Sequence, residues 1–349
     1  MTRCRILLTL LTPLTHEEEI ATGYSRKGLK HLTGSTHASS TLRFTHQQFM
    51  HDLPQAQKGM SISGYQPKIQ MVVEERAFTV VDHQGLYILK PSPIEFPHLA
   101  ENEHATMTLM ARLGFAVPPH GLLRFKPEQA DDEPEFAFVI KRFDRDEQTG
   151  HPIHQEQLDG AMGIGEKFGK IHTDGRQYVS YERLALFLSK YVNDNIVFKI
   201  DLFRRIAYAY MLGNNDMHLR NFGLIHSRSG SLVLAPIYDF VSVAPYPTYF
   251  SSCFMALPLL IQEEGDEALA PGFETAYGEY LGMDFILFGQ RIGLSENLTK
   301  KLLADFLKEA ECVESTYRDS FMPADAIETT LRCYRHRLNL MSILDAEQI

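Results

Sequence analysis

The polar stretch from Gly213 to Asn221 (Gly-Asn-Asn-Asp-Met-His-Leu-Arg-Asn) constrains this chain more than any other part of it. Two apolar runs flank it: Leu202 to Leu212 reads as a helix, and Phe222 to Ile225 reads as a strand. Both flanks must be buried. The polar residues between them then form a loop on rigid supports, where catalytic groups tend to lie. Asn214, Asn215 and Asp216 also suit a plain helix C-terminus followed by a turn.

Asp216 and Asn221 stand in D-x-x-x-x-N spacing. Phosphoryl transfer uses that spacing for a carboxylate that accepts a hydroxyl proton and an amide oxygen that ligates magnesium. Taken singly the pattern is common by chance, but Asp239 adds to it. Asp239 follows the apolar run Leu232-Val233-Leu234 and sits within Ile237-Tyr238-Asp239-Phe240-Val241. An acid among apolar residues needs a partner or a metal. A second metal carboxylate belongs at this place.

At 349 residues the chain is long enough for two lobes. Its net charge of -10 argues against a dominant nucleic-acid-binding surface. The cysteines, Cys4, Cys253, Cys312 and Cys333, have no metal-ligand spacing and suit a reducing cytoplasm. Ile6 to Leu14 follows Arg3 and Arg5 but is short and lacks a small-residue cleavage site. It reads as a buried N-terminal strand rather than a signal peptide. No apolar run is long enough to span a bilayer.

Residues 15 to 58 are polar and read as short surface helices and loops. Next, Lys58 to Lys68 (Lys-Gly-Met-Ser-Ile-Ser-Gly-Tyr-Gln-Pro-Lys) precedes the alternating run Ile69 to Val73. Two readings fit: a Gly-rich loop whose backbone N–H groups approach phosphate, or an ordinary hairpin turn. A Walker A loop is excluded, because Tyr65 stands where its lysine belongs and no helix pattern follows. Phe78 to Val81, Gly85, and Leu86 to Lys90 read as strand, turn and strand. Lys90 is either a phosphate-binding lysine or a solvated strand end. A helix over Glu101 to Met110 puts Met107, Met110 and Leu113 on its inner face. Glu103 lies near that face, either aimed inward at Lys90 or serving as a first-turn glutamate. Leu122 to Phe125 and Phe136 to Ile140 form a hairpin, and Lys141 to Arg145 is the crossover between lobes. Beyond Tyr178 the pattern is mostly helical, and the stripes Leu298, Leu302, Phe306 and Ile327, Leu331, Tyr334, Leu338 are core.

The order of these parts suits phosphoryl transfer, whose catalysis is positioning and charge neutralisation. The segments Ser61 to Lys68, Tyr87 to Pro91, Glu101 to Glu103, Lys141 to Arg145, His154 to Glu156, Asn215 to Phe222, and Tyr238-Asp239 carry a resemblance. Together they resemble those of HipA-type serine/threonine kinase toxins, over about residues 55 to 345. Within that family the chain is most similar to the short HipT form.

The resemblance implies an α+β, bilobal, protein-kinase-like (HipA-like) fold. Residues 1–140 would be a small mixed N-lobe with an antiparallel sheet, and residues 141–349 a mostly helical C-lobe. Asp216 would be the catalytic base, and Asn221 and Asp239 would hold Mg2+. Lys90, supported by Glu103, would bind the phosphates of ATP. Lys141 and Phe143 would offer hinge backbone to adenine, and Gly64 and His218 would join the ATP site. Ser61 and Ser63 would line the Gly-rich loop and be autophosphorylated there, where a dianion repels the ATP phosphates. The family also implies an aminoacyl-tRNA synthetase as target, tryptophanyl- for the HipT form. It implies a HipB-like DNA-binding antitoxin and a small HipS-like antitoxin as partners. This cytoplasmic chain itself would touch neither nucleic acid nor membrane. Three positions depart from the wider pattern: Arg220 replaces a lysine, Ser63 an alanine, and Val241 the glycine of D-F-G. Two other readings use the same residues: a non-catalytic nucleotide-binding component of a repressor complex, and a small-molecule phosphotransferase.

Overall fold

Alternating burial along β1 (Ile69–Glu74) starts the first sheet. A two-residue turn joins it to β2 (Ala77–Val80), with Glu75 and Arg76 both in left-handed backbone at φ 49 and 64. Primed turns of this kind match the twist of paired strands. β3 (Tyr87–Pro91), β4 (His120–Arg124) and β5 (Phe136–Lys141) complete an antiparallel sheet of order β2-β1-β3-β5-β4. The computed structural model describes residues 2–12, 15–51, 67–129, 131–146, 149–226, 230–247 and 255–345. The chain divides into two compact units: Met1–Ile153 with Ser315–Pro323, and His154–Glu314 with Ala324–Ile349.

The two faces of the first sheet separate by strand alternation. Ile69, Met71, Leu89, Leu123 and Val139 point into one core, together with Leu29, Leu32 and Phe49. Those last residues come from α2 (Arg26–Thr33) and α3 (His46–His51), which follow α1 (Glu17–Thr22). The N-terminal residues are therefore a packing layer as well as a surface. Their apolar residues are too sparse to show a core stripe in the sequence. The other face presents the cross-strand row Lys90, Phe138, Leu122, and α4 (Leu99–Arg112) packs on this sheet.

The predicted N-terminal strand is corrected by the structure. Ile6, Leu8 and Leu11 are buried, but among the described residues of this segment an isolated bridge, Arg3 to Leu10, is the only strand-like pairing. Leu8 takes φ 55 and its N–H returns to Cys4 O at 2.8 Å, so the chain reverses too soon for a strand. Arg5 O instead accepts from Leu122 N at 2.9 Å, and Ser40 O from Arg124 N at 3.0 Å. These contacts cover the edge of β4, which would otherwise offer a template for pairing.

In the second unit, α6 (Tyr181–Tyr191) starts at a Ser180 cap, whose side chain accepts from Arg183 N at 3.1 Å. α7 (Ile196–Met211) starts at an Asn195 cap on Phe198 N at 2.8 Å. Phe203 of α7 packs on Phe285 and Phe288 of α8 (Gly282–Arg291). α9 (Glu296–Arg318) runs into the first unit at its last turn, and α10 (Ala324–Met341) returns to the second. Arg337 of α10 donates to Tyr210 O at 2.6 Å, satisfying a carbonyl at the end of α7. A small antiparallel sheet, β6 (Gln155–Gln157), β7 (Gly223–His226) and β8 (Leu232–Leu234), runs in that spatial order. Short α5 (Leu158–Ala161) follows β6.

Residues 255–281, which lead into α8, are largely irregular apart from two short 3-10 turns at Ile261–Asp266 and Pro271–Glu274. Buried carboxylates hold their backbone: Glu182 accepts from Ile261 N at 2.9 Å, Glu263 from Leu260 N at 2.8 Å, and Asp284 from Gly272 N at 3.0 Å. Among the described residues no helix is long and apolar enough to cross a membrane.

Candidate functional site

α7 ends where Leu212 gives way to Gly213 at φ 68, and Asn214 N bonds back to Ala209 O at 2.8 Å. This is the helix stop read from the sequence, and only glycine takes that backbone freely. The loop then folds around Asp216. The Asn214 side chain accepts from Asp216 N at 3.0 Å, and Asn221 Nδ2 donates to Asp216 O at 2.6 Å. Both polar ends of the Asp216 peptide unit are thus held by side chains, while its carboxylate is part-exposed. Tyr181 OH donates to Met217 O at 2.7 Å and Leu219 N to Lys167 O at 3.0 Å, fixing the rest of the loop.

Asn221 has its amide nitrogen committed to Asp216 O, so its amide oxygen faces the other way as an acceptor. His218 is buried, with Nε2 3.5 Å from Asp216 Oδ1. Its Nδ1 is buried with no partner among the described residues. Burial and the nearby Lys167 lower its pKa to about 4, against the opposing pull of Asp239. Burial and Lys167 both favour the neutral ring.

Asp239 sits on a turn with left-handed backbone at φ 57. Four residues earlier Ala235 N donates to Gly223 O at 2.8 Å; four residues later Val243 N donates to Gly213 O at 3.0 Å. The Asp239 turn is therefore tied to both ends of the Asp216 loop. Tyr238 OH adds a third tie, donating to Arg220 O at 2.8 Å. Gly223 makes room for it: a Cβ there would stand 3.1 Å from the Tyr238 oxygen and 2.8 Å from Gln155 Nε2. Arg205, buried on α7, donates to Ala235 O at 3.0 Å and pairs with Asp201 at 2.7 Å. Arg220 pairs with Asp159 of α5 at 2.7 Å.

The first unit holds a second set. Lys90 Nζ lies 2.7 Å from Glu103 Oε1, with both side chains buried. Lys90 also stands over the Phe138 ring at 5.8 Å. Lys141 ends β5, its N–H donating to Pro119 O at 2.8 Å, and Phe143 follows it. Beside them Arg142 grips Asp144 with Nε at 2.8 Å and Nη2 at 2.6 Å. Burial raises the Asp144 pKa, but Arg142 and Arg145 outweigh it and hold the carboxyl below its ordinary value.

The structure thus gathers Asp216, His218, Asn221 and Asp239 in the second unit, and Lys90 with Glu103 in the first. Ser61, Ser63 and Gly64 lie outside the described residues. The residue types suit the expected ligands. A carboxylate and an amide oxygen are hard donors for Mg2+, which keeps much of its shell for water and phosphate. The unpartnered Nδ1 of His218 suits a polar ligand atom. Sequence reasoning missed the supporting groups Asn214, Asp159 and Tyr238. The Asn-x-Asp spacing of 214 and 216 carried a turn signal, whereas nothing in the sequence links Asp159 to Arg220.

Residues 60–313 match the HipA-like C-terminal domain family. The chain belongs to the HipA-like family. A Haemophilus influenzae protein named "Putative kinase" is 52% identical over 350 residues, covering 100% of both chains. A Sinorhizobium fredii relative, Y4mE, bears the same description and is 27% identical over 255 residues, 72% of this chain and 57% of that one. Among solved structures, HipA from Shewanella oneidensis MR-1, determined with HipB and operator DNA, superposes with a TM-score of 0.62. Sequence identity there is 21%, over 82% of this HipA-like chain and 66% of the Shewanella chain. The α+β fold, with an antiparallel sheet in one unit and mainly helices in the other, is the HipA-like, kinase-like one.

Proposed function

We propose that this HipA-like chain is an ATP-dependent serine/threonine protein kinase, the toxin of a toxin–antitoxin system of the short HipT kind. The observation that carries the reading is the built loop: Asp216 held at N–H and carbonyl by Asn214 and Asn221, with the Asp239 turn tied to both loop ends. Such fixed carboxylates suit a reaction whose catalysis is positioning. Mg2+ and ATP, when bound, supply the phosphoryl group and neutralise its charge.

Asp216 accepts the proton of the target hydroxyl as that oxygen forms its bond to the γ-phosphorus and the bond to ADP breaks. Asn221 and Asp239 would hold the metal, each through a side-chain oxygen. Lys90, aimed by its 2.7 Å contact with Glu103, takes phosphate oxygens, and His218 offers a ring nitrogen. Lys141 and Phe143 meet adenine through backbone. The target proposed is an aminoacyl-tRNA synthetase, tryptophanyl- before others, whose phosphorylation stalls translation. Autophosphorylation falls on Ser61 and Ser63. The Shewanella HipA was solved with HipB, which supports a HipB-like partner; a small HipS-like antitoxin would complete the set.

The test is transfer of radiolabelled phosphate from ATP, with Mg2+, to tryptophanyl-tRNA synthetase. Wild type should label the synthetase, and Asp216→Asn should lose at least about a thousandfold in rate. Equal labelling by the two proteins refutes the role of Asp216. No labelling of any seryl or threonyl protein by wild type refutes the kinase.

A further inference from the structure

α4 is an unusual helix for its polarity. Glu101, Asn102, Glu103, His104, Thr106 and Thr108 are all buried on it, so it is covered on more than the side that meets the sheet. Part of that cover is the last turn of α9 with the turn that follows it, residues Ser315–Pro323, which belong to the same unit as α4. Tyr317, fully buried, has its hydroxyl 2.9 Å from Thr106 Oγ1. Thr106 Oγ1 itself donates to Asn102 O at 2.9 Å. The two hydroxyls share one hydrogen bond, and Thr106 is also tied to its own helix through Asn102. Two turns on, Arg112 Nη1 donates to Thr316 Oγ1 at 2.9 Å and Nη2 to Leu8 O at 3.3 Å. The Phe321 ring lies 6.0 Å from the His104 ring.

Thr106 is three residues beyond Glu103, hence its neighbour on the helix surface. Each residue of helix turns by about 100°. A small roll of α4 about its axis would therefore swing the Glu103 carboxylate off Lys90, which it meets at 2.7 Å. Apolar packing resists such a roll weakly, because it is non-directional. A hydrogen bond at a fixed point resists it directly.

We propose that Tyr317 is a positioning residue for the Lys90–Glu103 pair, acting through Thr106 to set the rotation of α4. The inference rests on the kinase reading only for its effect on ATP; the clamp on Lys90 has a readout that needs no nucleotide. That readout is acylation of Lys90 by an amine-reactive ester, followed by mass spectrometry of the full-length protein.

Tyr317→Phe keeps the ring and removes the hydroxyl. Lys90 should then be labelled about fivefold faster, the worth of one buried hydrogen bond. Thr106→Val should behave alike, and Thr106→Ser, which keeps the hydroxyl, should stay near wild type. In phosphate transfer, KM for ATP should rise about fivefold while kcat stays within about twofold. A general loss of packing would instead lower the melting temperature without this split. Unchanged Lys90 labelling in both Tyr317→Phe and Thr106→Val overturns the clamp. Faster labelling supports it, and if wild type then transfers no phosphate, the kinase reading alone has failed.

Discussion

Replacing Lys90 by methionine should unfold the first unit at much lower urea, whatever its ligand. Lys90 and Glu103 meet at 2.7 Å, with the Glu103 side chain 0% exposed. At an effective dielectric of about 20, that separation gives a gross attraction of about 6 kcal/mol, before desolvation is subtracted. Methionine fills much of the lysine stem but leaves a buried carboxylate without its cation. The expected loss is about 3–5 kcal/mol, the range for breaking one side of a buried pair. The double variant Lys90→Met with Glu103→Leu removes both charges and should recover to within about 1–2 kcal/mol of wild type. The chain has no tryptophan, so unfolding is best followed by far-ultraviolet circular dichroism, with hydrogen exchange of α4 amides to isolate this unit. If Lys90→Met alone lies within about 1 kcal/mol of wild type, the pair is not the buried, mutually dependent contact described, and the reasoning fails.

Stability should fall as pH drops from 7 to 5. Burial holds the pKa of His104 near 3 and those of His120 and His218 near 4, against 6.5 in the unfolded chain. The unfolded state therefore takes up protons first, so this stability is complete above 6.5 and is lost towards about 4. Urea titrations at several pH values should show the slope, and His120→Gln should reduce the uptake by about one proton. Gly282→Ala should destabilise by about 2–3 kcal/mol, because its Cβ would stand 2.3 Å from Met341 O, a backbone atom that cannot move aside cheaply. An unchanged melting temperature refutes that. Tyr238→Phe removes the tie to Arg220 O, and phosphate transfer should fall about tenfold for about 1 kcal/mol of stability. Transfer within about twofold of wild type, with the stability loss alone, would make Tyr238 a packing residue only.

Much of this was legible from residue pattern. The alternation from Ile69 to Val73 became β1, the apolar runs at Leu122 and Phe136 became β4 and β5, and the helix–loop–strand order around Asp216 is found as read. Local rules were sufficient there because burial and local propensity agreed. They failed where contacts from distant residues decide. α4 shows one apolar stripe in sequence, yet Tyr317, Thr316 and Ile6 reach its polar side from far along the chain. Residues 255–281 lie in a mainly helical half, but carboxylates of Glu182, Glu263 and Asp284 replace helical hydrogen bonds there. The Asp159–Arg220 pair joins positions 61 residues apart and has no local signature.

The Asp239 turn is closed on both sides by backbone, its flanks bonding to Gly223 and Gly213. A docking cation would find no slack segment there to freeze, a penalty otherwise of about 1–2 kcal/mol per residue. Its affinity would instead follow the dehydration of a single acid group. Calorimetry of metal binding should accordingly show a heat-capacity change too small for coupled folding.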